Sequence, residues 1–120
     1  MKTFLFIVLV LEAIFGIGFI FVPDKILGPM GIILDTSSAA FARLFGSAII
    51  SFPFLLYFVR KSDSLDFNKG VAVTMLVYFS ISSILLLKTQ LAGQMNSLGW
   101  SVVGLHIVFA VCFLYYLVKK

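Results

Sequence analysis

The sequence predicts an all-α fold, a four-helix transmembrane bundle, and three observations carry that expectation. Hydrophobic residues make up 62% of the 120-residue chain and charged residues 12%, against about 45–50% and 25% in ordinary soluble domains. Four apolar runs reach the length of about 20 residues needed to cross a hydrocarbon core about 30 Å thick. The runs lack the period-2 alternation of a membrane β-barrel. A backbone in lipid must pair its polar groups internally, which a single helix does within its own segment.

The first helix is expected at about 3–22. Glu12 interrupts its middle, and it ends in FIFVP at 19–23 with no small-x-small cleavage site. It therefore reads as a retained helix and not as a signal peptide. Segment 23–38 (PDKILGPMGIILDTSS) mixes Pro and Gly with Ile26, Leu27, Met30, Ile32, Ile33 and Leu34. A simple aqueous loop would be more polar, so this stretch is expected in the outer interface or folded back over the bundle mouth. Asp35, Thr36, Ser37 and Ser38 offer N-caps for a second helix at about 39–59, which Pro53 should kink, freeing a carbonyl. RKSDSLDFNK at 60–69 reads as a short solvated turn before a third helix at about 70–88. The polar stretch 89–97 leads into a fourth at about 98–118, with Trp100 at interface depth and Tyr115 and Tyr116 as an interfacial anchor beside Lys119 and Lys120. These elements make one transmembrane domain over 1–120.

The net charge of +4 comes from nine basic and five acidic residues. The basic residues gather at the ends of apolar runs, with no basic stripe of interleaved aromatics, so nucleic acid is not an expected partner. Lys2, Arg60, Lys61, Lys69, Lys119 and Lys120 fall on one side. Lys25 and Lys88 fall on the other, and Arg43 lies inside the second span. This bias predicts a multi-pass protein of the cell membrane with both termini cytoplasmic. The single cysteine, Cys112, lies in an apolar run, which leaves no intrachain disulfide and no thiol pair.

Ionisable groups inside a span cost about 2.5–3.5 kcal/mol near the bilayer centre and usually face protein or a polar cavity. The chain has three. At 1.5 Å per residue, Arg43 and His106 sit roughly 6 Å and 10–12 Å below the outer boundary, and Glu12 roughly 15 Å from either one. An arginine stem closes most of that gap, so a Glu12–Arg43 ion pair joined by His106 is open to the sequence. Ala39, Ala40, Gly46 and Ser47 surround Arg43 on the helical wheel and argue for an inward face. Gly16 does the same one turn after Glu12. Gln90, Gln94, Asn96 and Trp100 are expected at the outer mouth above this cluster. Two roles remain open for it: mutual polar contacts that lock the helices together, or the lining of a ligand-binding cavity.

No P-loop, GxGxxG, HExxH or GxSxG occurs. One histidine and one cysteine do not make an ordinary zinc site, so no metal ligand and no catalytic residue is assigned. No cofactor is indicated, and nothing points to an enzyme. Pro23 closing the first helix, Gly31, FARLFGS at 41–47, Gly99-Trp100 and Tyr115-Tyr116 resemble the DoxX-like group of small four-helix bacterial and archaeal membrane proteins. That resemblance implies the fold, and a place as partner subunit in quinone-linked respiratory oxidation or in redox and thiol-stress systems. The chain departs from thiol-relay members in lacking a cysteine pair. In length, helix number and a glutamate in the first helix it is also similar to small multidrug resistance transporters. Many of those insert in both orientations, whereas the charge bias here specifies one.

The leading expectation is a binding or accessory membrane protein. It would hold a lipid- or quinone-like molecule, or a partner subunit, in an outer-facing polar cavity lined by Glu12, Arg43 and His106. The alternatives are a small proton-coupled transporter that uses Glu12 as a homo-oligomer, and a purely structural or assembly protein.

Overall fold

Leu5, Val8, Glu12 and Gly16 recur every three or four residues along α1 (Lys2–Phe21), and all four are buried. That spacing makes one helix face. The computed structural model describes residues 1–119, which contain helices and no strand. The chain divides into two compact units, the first spanning Met1–Lys61 and the second beginning at Ser62.

In the first unit α1 packs against α3 (Thr36–Ile49) and α4 (Ser51–Lys61). Glycine sets the distance of approach. A β-carbon on Gly46 would lie 2.7 Å from Phe19 Cβ and 2.9 Å from both Gly16 O and Ile20 N, and one on Gly16 would lie 3.0 Å from Ile50 N. Two of the atoms facing Gly46 are backbone, so they cannot swing aside as a side chain would. Phe19 meets Phe45 edge-on beside this crossing, ring centroids 5.5 Å apart.

The start of segment 23–38 folds back on α1, whereas Ile33 further along it is 96% exposed. α2 (Pro23–Leu27) starts on proline at N1, where the missing N–H costs nothing. Ile26 fills the space beside Gly18 that a β-carbon there would need. A 3-10 turn over Gly28–Met30 then ends at Gly31, whose φ of 82° favours glycine. Asp35 caps α3, its Oδ1 accepting from Ser38 N at 2.7 Å. The second span therefore begins at Thr36, three residues before the apolar run.

Between α3 and α4 the helix is interrupted at Ile50, whose φ of −63° and ψ of −16° stay right-handed, so the interruption is a local break and not a turn. The expected source is in place. Pro53 has no N–H, and its ring opposes the carbonyl of Ile49 four residues before it. The Ser47 and Ser51 hydroxyls also donate back to Leu44 O and Ala48 O, each at 2.6 Å, which competes with the helical ladder.

In the second unit α5 (Leu65–Leu91) and α6 (Gly99–Lys119) pack along each other. α5 is longer at both ends than its apolar run. Ser64 Oγ accepts from Phe67 N at 3.3 Å and Asn68 Nδ2 donates to Ser62 O at 3.0 Å, so the solvated turn shrinks to 62–64. Phe79 is fully buried at the centre, edge-on to Phe109 at 5.1 Å and stacked on Phe113 at 5.9 Å. Such pairs contribute about 0.5–1.5 kcal/mol each beyond the burial of their area.

Four helical spans are long and apolar enough to cross a membrane: Lys2–Phe21, Thr36–Lys61 (α3 with α4), Leu65–Leu91 and Gly99–Lys119. No more than 28% of the apolar window of any span is buried, and Phe21, Phe41, Leu91 and Val118 are among the exposed side chains. Contiguous exposed apolar surface of this kind marks an interface with membrane or protein. The last residue of the Lys119/Lys120 anchor, Lys120, lies outside the described residues.

Gly46→Ala is expected to lower unfolding stability in micelles by about 1–3 kcal/mol, the usual range for overpacking against atoms that cannot yield. Gly104, with nothing within 4 Å of its β-carbon position, serves as control: Gly104→Ala should leave stability unchanged or raise it by up to about 1 kcal/mol. Equal losses in the two variants would refute the glycine crossing as the determinant.

The cap on α3 has its own signature. Hydrogen bonding from the Ser38 backbone, helped by the Ser38 hydroxyl and the Ser37 backbone, holds the Asp35 carboxyl below its ordinary value. Since the folded value is the lower one, the cap is complete above the ordinary carboxylate range and is lost as pH falls through the depressed value. The Ser38 amide proton resonance should titrate with a midpoint below that of a free aspartate, and Asp35→Asn should abolish the titration while keeping the helix start.

Candidate functional site

Glu12 lies at mid-length on the stripe of α1 that makes the close crossing, one turn before Gly16, and is 5% exposed. The surrounding positions on the stripe are apolar or glycine. Among the described residues no hydrogen bond or ion pair reaches its carboxylate. A carboxyl group deep in an apolar helix with no cation beside it is costly to keep ionised.

Arg43 is not its partner. The side chain of Arg43 is exposed, in contrast to the inward face inferred from its small neighbours. Two features of the packing explain this. The buried line of α3 runs through Gly46 and Ile49 with Ala42 at its edge, and Arg43 lies roughly 90° from its middle at 3.6 residues per turn. The register is also wrong. Gly16 opposes Ile50 and Gly46 opposes Phe19 and Ile20, so antiparallel alignment sets Glu12 level with about Phe54. Position 43 lies 54 − 43 = 11 residues away, roughly 16 Å along the axis, beyond an arginine stem. The Glu12–Arg43 ion pair open to the sequence is therefore not formed.

In the second unit His106 stands on α6, half-buried, facing α5. Its ring meets Phe79 edge-on at 5.4 Å and Tyr78 at 6.3 Å. Nδ1 is 2.9 Å from the Val102 carbonyl, an acceptor only. Nδ1 must therefore carry the proton, and in the neutral ring Nε2 is left as an acceptor.

Gln90 is buried. Its Nε2 donates to Asn96 O at 3.1 Å and Met95 O at 3.4 Å, stapling the turn between α5 and α6. A β-carbon on Gly99 would collide with Gln90 Oε1 and approach Met95 Cβ to 2.8 Å. Gln90 thus closes a turn, a role its polar character alone did not reveal. Gln94, Asn96 and Trp100 are exposed, and Asn96 Oδ1 accepts from Leu98 N at 3.0 Å.

Sequence reasoning missed two features. Phe79 is the hub of the ring cluster, but fourteen phenylalanines gave no reason to single it out. Arg60 was read as a loop charge, yet its Cζ lies 5.0 Å above the Phe6 ring centroid. Four residues separate Lys2 from Phe6, and the same spacing separates Tyr57 from Lys61, so each pair shares a helix face. Among the described residues no group of three or more His, Cys, Asp or Glu side chains converges as a metal site.

Nitrogen-15 NMR of the single histidine should show the Nδ1–H tautomer whenever the ring is neutral. A dominant Nε2–H form would mean that the Val102 contact is not a hydrogen bond.

The family described as Domain of unknown function (DUF8292) matches residues 6–120, and the chain belongs to it. No curated protein and no solved structure matches the chain.

Proposed function

We propose that this DUF8292 member is a four-helix transmembrane bundle with both termini cytoplasmic. In this reading it is a binding or accessory protein that uses Glu12 to hold the polar head of a lipophilic ligand. The observation that carries the proposal is the buried, unpaired carboxylate at mid-length of an apolar span. A lipid- or quinone-like molecule that donates a hydrogen bond to this group would satisfy it and be oriented by it. A basic group of a partner subunit would satisfy it in the same way. The resemblance to the DoxX-like group supports a role as partner subunit near a quinone-linked system.

The orientation is supported, in each unit by itself, by cations at a helix end that rest on aromatic rings. Arg60 lies over Phe6, Lys61 over Tyr57 at 4.7 Å and Lys119 over Tyr115 at 5.6 Å. Aromatic rings beside basic residues are the usual interfacial anchor. His106 Nε2 is a second acceptor for a hydroxyl-bearing head group, within its own unit. Arg43 serves differently: exposed and about two turns inside α3, its stem can extend along the apolar surface toward the outer head groups.

The unpaired carboxylate favours one further reading, proton-coupled transport by a homo-oligomer, in which Glu12 alternates between proton and substrate. Proton release on adding substrate, abolished in Glu12→Gln, would mark that activity.

Mass spectrometry of small molecules co-purified in mild detergent is the test. Wild type should carry a defined compound that Glu12→Gln lacks while remaining folded. If both carry the same bulk lipid and the variant only melts at a different temperature, Glu12 is structural and the binding role is wrong.

A further inference from the structure

We propose that Arg60 and Lys61, at the end of α4, form a binding site for the phosphate of an anionic membrane phospholipid. This inference rests on the membrane-spanning reading above but not on any role for Glu12.

Two adjacent cations close α4, and each is held against an aromatic ring of the same unit. The Arg60 guanidinium carbon lies 5.0 Å from the Phe6 centroid and the Lys61 ammonium 4.7 Å from the Tyr57 centroid. A ring under a cation attracts it through its electron-rich face and fixes its position. Arg60 is half-buried, and its Nε is enclosed without a hydrogen-bond partner. Its donating capacity is therefore concentrated in the two terminal nitrogens, the pair that grips two oxygens of one phosphate.

Within the first unit no carboxylate offsets this charge directly. Among the described residues of the first unit no carboxylate pairs with Arg60 or Lys61, and the first turn of α1 contains no acidic residue. Lys2 stands one turn before Phe6 on α1 and adds a third positive charge to that turn of the helix. Ordinary anchoring of a helix end needs one cation extended into water. Here two successive residues each rest on a ring, Arg60 on Phe6 of α1 and Lys61 on Tyr57 of its own helix, at the depth where, in the membrane-spanning reading, lipid phosphates lie. Clustered basic residues at the cytoplasmic boundary attract anionic lipid in preference to zwitterionic lipid.

The full chain is reconstituted into nanodiscs of equal parts phosphatidylcholine and phosphatidylglycerol, released into the mass spectrometer, and its lipid adducts are counted. Wild type should retain phosphatidylglycerol in preference to phosphatidylcholine. Arg60→Gln with Lys61→Gln should reduce that retention about tenfold, as expected for losing charge-assisted bonds to one phosphate. Arg60→Lys should retain more than Arg60→Gln, and Phe6→Leu should give an intermediate loss, since it keeps the charges but frees the guanidinium. The two single-site variants decide the matter even if the double variant does not fold.

Equal retention of the two lipids by wild type, or unchanged retention in the folded double variant, would overturn the proposal. Displacement of phosphatidylglycerol by millimolar inorganic phosphate would assign the site to a free anion and overturn the lipid assignment. A chain that fails to enter nanodiscs at all would instead sink the membrane-spanning reading, an outcome distinct from the others.

Discussion

Gly16 and Gly46 meet where α1 crosses α3, and the absence of a side chain on either lets one backbone rest almost directly on the other. In lipid, water does not drive helices together, so association depends on close packing between small residues. This contact also acts as a ruler. With Gly46 against Phe19 and Ile20, and Gly16 against Ile50, every other pairing along α1 is set by counting. Glu12 falls level with the apolar middle of α4, and Arg43 is carried toward the opposite end. A contact of two glycines against backbone and β-carbons thus decides that the one acidic side chain buried in α1 has no ion-pair partner in the first unit.

The second unit is organised by rings. Phe79 presents its edge to Phe109 and its face to Phe113, and the His106 ring joins the same cluster. The histidine is held from two sides, by Phe79 and by the Val102 carbonyl, and those constraints fix which nitrogen carries the proton. At the end of the helix pair, Gln90 reaches across the turn to the carbonyls of Met95 and Asn96. The close approach at Gly99 makes that reach short. Polar side chains here perform two tasks, fixing a turn and presenting an acceptor, and only their partners tell the tasks apart.

The positions of the spans were legible because the apolar runs and the helices share one cause. A segment without water must pair its own backbone, so hydropathy and helix coincide through the middle of each span. They diverge at the ends, where polar residues extend a helix at no cost in hydropathy. Asp35 starts α3 three residues before the apolar run, and Ser64 starts α5 five residues before it. The break near Pro53 was legible from the chemistry of proline alone. The direction of Arg43 was not, because the helical wheel gives angles but no register, and the small residues around it do not all lie on the packed face.

By itself the sequence determined that the chain is helical, where four apolar spans lie, which residues stand inside them against their polarity, and where the basic residues gather. Each of these follows from local composition and from the backbone's need to pair its own hydrogen bonds. The tertiary structure alone decided that Glu12 is buried without Arg43, that Gln90 staples a turn, that His106 offers Nε2, and that Arg60 rests on Phe6. These depend on the axial register and rotation of one helix against another. Steric contact between residues distant in the chain, such as Gly16 and Gly46, sets both, and no local pattern encodes them.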